Sequence, residues 1–326
     1  VTQPAVSVVI LTWNSELQVA GAIESALALR GPPVEVLVAD NNSEDETLRV
    51  VEPFGRRVRV VCFESNLGYC QGNNRAIAIT RGEFVVVLNP DCRLDPSFLD
   101  AAMPAFSEER VGIVAPRLMR PDRVTVDSTG QFLARSRKTI DRGYGKPFDS
   151  KRDRAGSVLA ACGAAAIYRR AMIEDIADGI EFFDPDFFAF HEDLEVGWRA
   201  WRAGWTAVHV PEAIAIHERS SGVRHRAGQT FARPHWLRAH IVKNRALTSL
   251  RHDRIWSVGL DLPWIAARDL ALYSGLLFTG PKVFIELWRH RGTLRRAWAK
   301  RRRDRRRSGR WGRWHTRVPK RGLWKA

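Results

Sequence analysis

Cysteine is scarce in this 326-residue chain. Its four cysteines, Cys62, Cys70, Cys92 and Cys162, show no C-x-x-C spacing. That excludes a zinc ribbon and a disulfide framework and fits a reducing compartment. No stretch reaches the roughly 18 uncharged apolar residues of a spanning helix. No basic leader or cleavage site accompanies the first apolar run, Val6–Leu11, which is too short for a signal peptide, so no secretory leader is expected. Internal repeats are missing. So are the glycine signatures G-x-G-x-x-G and G-x-x-x-x-G-K-[ST], which removes support for a dinucleotide dehydrogenase and a Walker-type hydrolase.

What is present is enough to build a core: 45% apolar and 10% aromatic residues exclude wholesale disorder. The net charge of +16 is unevenly spread. Residues 289–326 hold 17 of the 52 basic residues and one of the 36 acids, Asp304, leaving a body balanced at 35 of each sign. The basic excess therefore describes the tail and not the body.

Residues 6–12 are β-branched and continuously apolar, as in a strand buried on both faces. Val19, Ala22, Ile23, Ala26 and Leu27 keep helical spacing within 17–29, and Gly31-Pro32-Pro33 stop the helix. Strands are predicted at 35–39, 59–63 and 83–88, and helices at 44–52 and 72–80. This alternation gives an α/β fold with a mainly parallel sheet flanked by helices. Polar clusters at 12–16, 40–43 and 89–91 each follow a strand, and in such sheets ligands bind beyond the strands' carboxyl ends. Further on, strand-like pieces at 111–115 and 158–168 flank a polar loop at 134–157. A helix is expected at 194–203 and an extended segment at 205–216. The domain expectation is a catalytic body over 1–230, amphipathic helices over 231–290 and a basic, flexible tail over 291–326. Within residues 255–288 the longest uncharged run, 270–281, suits an interfacial or buried helix.

Asn89-Pro90-Asp91 offers a carboxylate at a strand end, where a hard divalent cation and substrate phosphates can meet; the same tripeptide is ordinary turn chemistry. Asp40-Asn41-Asn42-Ser43 can accept bonds from a ribose or base edge or cap the next helix. Asn66-Leu67-Gly68-Tyr69 with Gly72-Asn73-Asn74 opens a helix whose N–H groups favour anions. In Phe187-Phe188-Ala189-Phe190-His191-Glu192-Asp193 paired carboxylates follow an aromatic run. Apolar surroundings would raise a carboxyl towards the range of a general base, while helix capping by Asp193 is the structural alternative. His217 closes a strand-like run and is either a metal ligand or a structural imidazole. The Arg/Trp-rich end, including Trp298, Trp311, Trp314 and Trp324, suits an anionic membrane surface, nucleic acid or a solvated tail. The Trp/Leu-rich stretch beside it favours the membrane.

Taken in order, Val8–Asn14, Val38–Ser43, Asn66–Tyr69, Gly72–Asn74, Leu88–Asp91, Cys162–Ala165, Phe187–Asp193 with Arg199, and His217 give a pattern. The chain resembles family 2 glycosyltransferases of the inverting, GT-A-fold group, and within them the rhamnosyltransferase-like branch. The resemblance covers about residues 5–250. It implies a transfer of rhamnose or a related hexose from a dTDP- or UDP-sugar to a polyprenyl-linked or cell-surface glycan at the cytoplasmic membrane face. It implies Asp193 as the catalytic base. Asp91 and His217 become ligands of Mg²⁺ or Mn²⁺. Thr12, Trp13, Asn14, Asp40, Asn42, Asn66, Gly68, Asn73, Asn89, Gly163, Glu192 and Arg199 become substrate-binding residues. Asn89 departs from the family's D-x-D pattern by replacing its first Asp. Competing readings are a non-catalytic, membrane-associated or nucleic-acid-binding protein on the same fold, and a sugar-phosphate nucleotidyltransferase. The last needs a Gly-rich Arg/Lys signature that is absent after Leu11.

Overall fold

The structure, a computed structural model, describes residues 4–219 and 234–307. In chain order its first half contains β1 (Val6–Thr12), α1 (Val19–Leu27), β2 (Val34–Asp40), α2 (Thr47–Val51), β3 (Arg59–Cys62), α3 (Gly68–Ala78), β4 (Phe84–Leu88), β5 (Cys92–Leu94), α4 (Phe98–Ala102) and β6 (Val111–Met119). There follow β7 (Val126–Ser128), β8 (Gln131–Leu133), β9 (Thr139–Asp141), β10 (Gly156–Val158), β11 (Ala165–Arg169), α5 (Arg170–Ile176), α6 (Glu192–Arg202) and β12 (Thr206–His217). Four helices close the described chain: α7 (His235–His252), α8 (Ile255–Thr279), α9 (Lys282–Arg289) and α10 (Arg291–Arg307).

One sheet runs β10-β12-β6-β11-β4-β1-β2-β3, with β5 on β12 and β7 on β6, and β8 and β9 form a separate hairpin. The half β4-β1-β2-β3 is parallel. Its strands are apolar because both faces are covered: Val6, Val8 and Ile10 meet the α1 side, and Val9 meets the layer containing Ala76 and Ile77 of α3. Ser7 is the polar exception in β1. Its hydroxyl donates to Glu35 at 2.6 Å and accepts from the Gly82 N–H at 2.8 Å, so its burial leaves no polar atom unsatisfied. In register Thr12 lies opposite Asp40, and Ile10 opposite Leu88, which brings three strand ends to one edge.

The other half is mixed, which modifies the parallel expectation. β11 runs antiparallel to both β4 and β6, and β12 returns parallel to β6. The strand-like piece at 158–168 is in fact β10 and β11, separated by a loop through Cys162 and Gly163 that crosses the strand ends. The polar loop at 134–157 is also more structured than its composition suggests. It contributes β9, and Arg137 is buried there because Asp253 (2.7 Å) and Asp261 (2.8 Å) neutralise it.

The basic C-terminus is a second departure. Residues 291–307 form α10, a docked helix and not a flexible tail. Lys300 reaches Asp184 (2.5 Å) and Asp186 (3.1 Å), Arg296 pairs with Asp186, and Arg303 pairs with Asp178. The docking follows from charge: acids held by the body meet the bases of the tail. Ser220-Ser221-Gly222, Trp311, Trp314 and Trp324 lie outside the described residues. No single described helix is long and apolar enough to cross a membrane; α8 and α9 meet at a bend of 115°.

Arg251 on α7 sits at the centre of this assembly, 97% buried. It contacts Asp184 at 2.8 Å, Glu195 of α6 at 3.0 Å and Asp304 of α10 at 2.9 Å. Removing one partner from such a cluster strands buried charge at a cost of about 3–5 kcal/mol. Arg251→Ala is therefore expected to lower the thermal unfolding midpoint by roughly 10 °C, a shift of a few degrees per kcal/mol at this chain length. Differential scanning fluorimetry checks it.

Candidate active site

The site is built from the carboxyl ends of β1, β2 and β4 and from the loops that return to them. Asp40, at the end of β2, is buried. Its Oδ1 accepts from the hydroxyls of Thr12 (2.9 Å) and Ser43 (2.6 Å), and its Oδ2 accepts from the Ser43 N–H (2.9 Å). A carboxylate has about four acceptor positions, so one more donor can be taken. Asn14 and Asn42 adopt left-handed backbone (φ 49° and 63°), which Asn tolerates better than most residues. The two loops are stitched together, with the Asn14 N–H on Ser43 Oγ (2.9 Å) and the Glu44 N–H on Asn14 Oδ1 (2.8 Å). Trp13 stands half exposed beside them.

Asn89 begins the turn after β4: its carbonyl accepts from the Cys92 N–H and its own N–H bonds Ala164. β5 then pairs with the end of β12, placing His217 opposite Cys92. That register brings Asp91 Oδ1 to 3.5 Å from His217 Nε2. The other ring nitrogen, Nδ1, bonds Asp127 Oδ2 at 2.8 Å, and Arg219 holds the second oxygen of Asp127 at 2.5 Å. Burial opposes charge on His217, but its hydrogen bonds to Asp127 and Asp91 prevail and raise it to about 9. Among the described residues no group of three or more His, Cys, Asp or Glu side chains is arranged to hold a metal. The pair Asp91–His217 is a two-donor set, and the Asp127–His217 bond is the outer support typical of a ligating imidazole. A cation would displace the Nε2 proton, and the neutral ring with Asp91 then fits a hard cation whose remaining positions go to phosphate and water.

Asp193 lies at the other wall. It is in the first turn of α6, not at its cap; the cap position is His191, which is left-handed (φ 69°) and makes no side-chain cap bond. Asp193 Oδ2 accepts from the Gly163 N–H (3.0 Å) and Gln131 Nε2 (2.8 Å), and Oδ1 accepts from the Leu194 N–H (2.7 Å). Burial raises its carboxyl above the ordinary range despite those three donors. Burial and the neighbouring Asp193 raise Glu192 well above it too, and Glu192 Oε2 has no hydrogen-bond partner among the described residues. Asp141, which accepts from the Ser128 hydroxyl at 3.0 Å, is raised to about 6 by burial and by Asp193. Tyr69 donates to the Gly163 carbonyl at 2.8 Å. A Cβ on Gly163 would stand 2.9 Å from that hydroxyl and 3.7 Å from the Asp193 Cβ, so glycine keeps this passage open.

Three assignments need correction. Arg199 faces away from the site: it is buried against Glu195 (2.8 Å) and the carbonyls of Ile176 and Phe182, so it anchors α6. The start of α3 is closed to anions. The N–H groups of Leu67 and Gly68 are taken by Asn41 and Asn66, and that of Cys70 by the Phe188 carbonyl. Gly68 is needed for left-handed backbone (φ 74°) under the Phe188 ring, which a Cβ would meet at 2.5 Å. Asn73 is fully buried within the helix and donates to the Tyr69 carbonyl, so it does not line the crevice. Sequence reasoning missed Asp127, Gln131 and Asp141, because long-range pairing alone brings them in, and it named Tyr69 within a motif without its bond to Gly163.

Residues 7–177, more than half of the chain, match the model of glycosyl transferase family 2. The chain belongs to that family. It is a glycosyltransferase of GT-A type. It is 29% identical over 269 residues to the N-acetylglucosaminyl-diphospho-decaprenol L-rhamnosyltransferase of Mycobacterium tuberculosis, across 75% of this chain and 83% of that one. Its fold is similar to S. aureus TarS 1–349 in complex with UDP-GlcNAc, with a TM-score of 0.56, 18% identity, and coverage of 90% and 81% of the two chains. It is also similar to the mannosyltransferase PcManGT of Pyrobaculum calidifontis in complex with GDP-Man and Mn²⁺, with a TM-score of 0.52, 16% identity, and coverage of 97% and 89%.

The raised carboxyl of Asp193 fixes the sign of a pH effect. A carboxylate must be deprotonated to accept a proton, so under the proposal that Asp193 is the base, acidification removes activity. The kcat profile of this glycosyltransferase is expected to fall on its acid side with an apparent pKa above the ordinary value near 4 for a free Asp. A steady-state pH series checks it.

Proposed function

We propose that this enzyme moves a rhamnose or related hexose from a dTDP- or UDP-sugar to a hydroxyl of a polyprenyl-diphosphate-linked glycan, with Asp193 as the base. The observation that carries this is Asp193 Oδ2, desolvated and fixed by the Gly163 N–H and Gln131, in a fold whose strand ends carry Asp40 and Asp91. The acceptor hydroxyl attacks the anomeric carbon from the face opposite the diphosphate. Its proton passes to Asp193 as the new C–O bond forms. The bond from the anomeric carbon to the diphosphate oxygen breaks, and configuration inverts in one displacement. Thr12, Asn14, Asp40 and Asn42 shape the nucleotide side, with Asn89 at the turn and Trp13 beside the base. A Mg²⁺ or Mn²⁺ ion held by Asp91 and His217 would supply positive charge to the leaving diphosphate. Asp127 keeps the His217 ring in place for that role.

The acceptor class is supported by the decaprenol-linked substrate in the name of the mycobacterial relative and by the surface of α8 and α9. Leu270, Leu277, Phe278, Ile285 and Trp288 are exposed there, with Phe278 88% accessible. An exposed apolar row beside a basic helix suits peripheral binding to an anionic membrane surface, here the cytoplasmic face.

Asp193→Asn is expected to lower kcat by 10²-fold or more while donor binding, read by a dTDP or UDP thermal-shift series, persists. Normal turnover would remove the base assignment. Leu277→Glu with Phe278→Glu is expected to abolish co-flotation with phosphatidylglycerol vesicles. Unchanged flotation would remove the membrane reading and leave the chemistry untouched.

A further inference from the structure

We propose that Asn244 of α7 is a positioning residue for the transfer reaction: its carboxamide fixes the segment that presents Asp193. The inference rests on Asp193 being the base.

The segment from Pro185 to His191 is unusual in its backbone. Phe188, Phe190 and His191 all have φ between 64° and 71°, a region that non-glycine residues rarely occupy and that persists only where surroundings over-determine it. Such a conformation turns successive carbonyls inward, where each needs a donor. The donors are present. The two N–H groups of Asn244 Nδ2 are shared among the carbonyls of Phe187 (2.9 Å), Ala189 (2.8 Å) and Phe190 (2.7 Å), and the Phe187 carbonyl also accepts from the Ala189 N–H (2.8 Å). Lys243 Nζ takes the carbonyl of Asp186 at 2.5 Å. The Cys70 N–H of α3 takes that of Phe188, and the Glu195 N–H of α6 takes that of His191. Every carbonyl from Asp186 to His191 is thus held, four of them by two adjacent side chains of α7. Asn244 is fully buried, so water cannot replace it.

The geometry determines direction. Glu192 follows this segment without a break, and Asp193 is the next residue. The αL turn at His191 sets where the first turn of α6 begins. Among the described residues the segment makes no hydrogen bond to Asp40, Ser43 or Asn14, which shape the nucleotide side. Loss of the Asn244 donors therefore acts on the proton transfer and spares donor binding. It also places the catalytic loop under the control of the C-terminal helices, because α7 packs against α9 and α10.

Asn244→Asp and Asn244→Leu keep the volume of the side chain and remove the NH₂ donors. Space-filling alone would be satisfied by either. In the full-length protein at pH 8 both are expected to lower kcat at least 20-fold, with affinity for dTDP or UDP within about twofold of the parent. Asn244→Gln, which keeps the amide, is expected to recover part of kcat. Hydrogen exchange over residues 185–195 needs no substrate and is expected to accelerate at least tenfold in the Asp and Leu variants, while β1–β4 stay protected. Unchanged exchange in that segment, or unchanged kcat, overturns the proposal, and so does nucleotide affinity that falls together with kcat. If neither variant folds, Lys243→Met carries the same readouts, with a 3- to 10-fold loss of kcat expected and no loss overturning it. The parallel Asp193→Asn measurement separates the two ideas: a dead Asp193→Asn with fully active Asn244 variants ends the positioning role and leaves the base intact.

Discussion

The buried guanidinium of Arg251 is the contact on which this architecture closes. It pairs with Asp184 before the aromatic segment, Glu195 on the helix that carries Asp193, and Asp304 on the last described helix. Three separate elements are therefore joined at one cation. The pair energy of a buried ion cluster is partly spent on desolvation, so its main effect is geometric. Each carboxylate must sit where the guanidinium can reach it, and that fixes α6, α7 and α10 relative to one another.

The same helix shows how environment separates carboxyl roles. Glu195 lies within reach of Arg199, Arg251 and His252, and those partners outweigh burial and hold it well below the ordinary range. One turn earlier, Glu192 and Asp193 have no cation beside them, and burial raises both. An ionised anchor and a carboxyl raised by burial thus stand two residues apart, distinguished by what faces them.

Charge organises the C-terminal layer in the same way. The body is balanced in sum, yet Asp178, Asp184 and Asp186 gather on the side where α10 lies. A tail that reads as solvated from composition finds partners there and folds onto them. Its apolar neighbours on α8 and α9 have no such partner among the described residues and remain exposed. The division between docked cations and exposed apolar groups gives this layer its two faces.

The sequence by itself determined the strands of the parallel half and, to within a residue, their ends. β1 was legible at both boundaries because a strand covered on both faces must be apolar throughout, and Asp40 and Asn89 were legible as strand-end residues for the same reason. Asp193 was legible through its motif, and the i,i+4 spacing of Glu195 and Arg199 already contained the pair that removes Arg199 from the site. Only the tertiary structure decided the rest. His217 meets Asp91 because β12 pairs antiparallel with β5, a register that no local pattern encodes. Asp127, Gln131 and Asp141 arrive by the same kind of pairing, and Asn244 through the packing of α7 on a loop more than fifty residues earlier. Local spacing records which face of an element is apolar. It does not record which distant element that face will meet, and the chemistry of this site lies in those meetings.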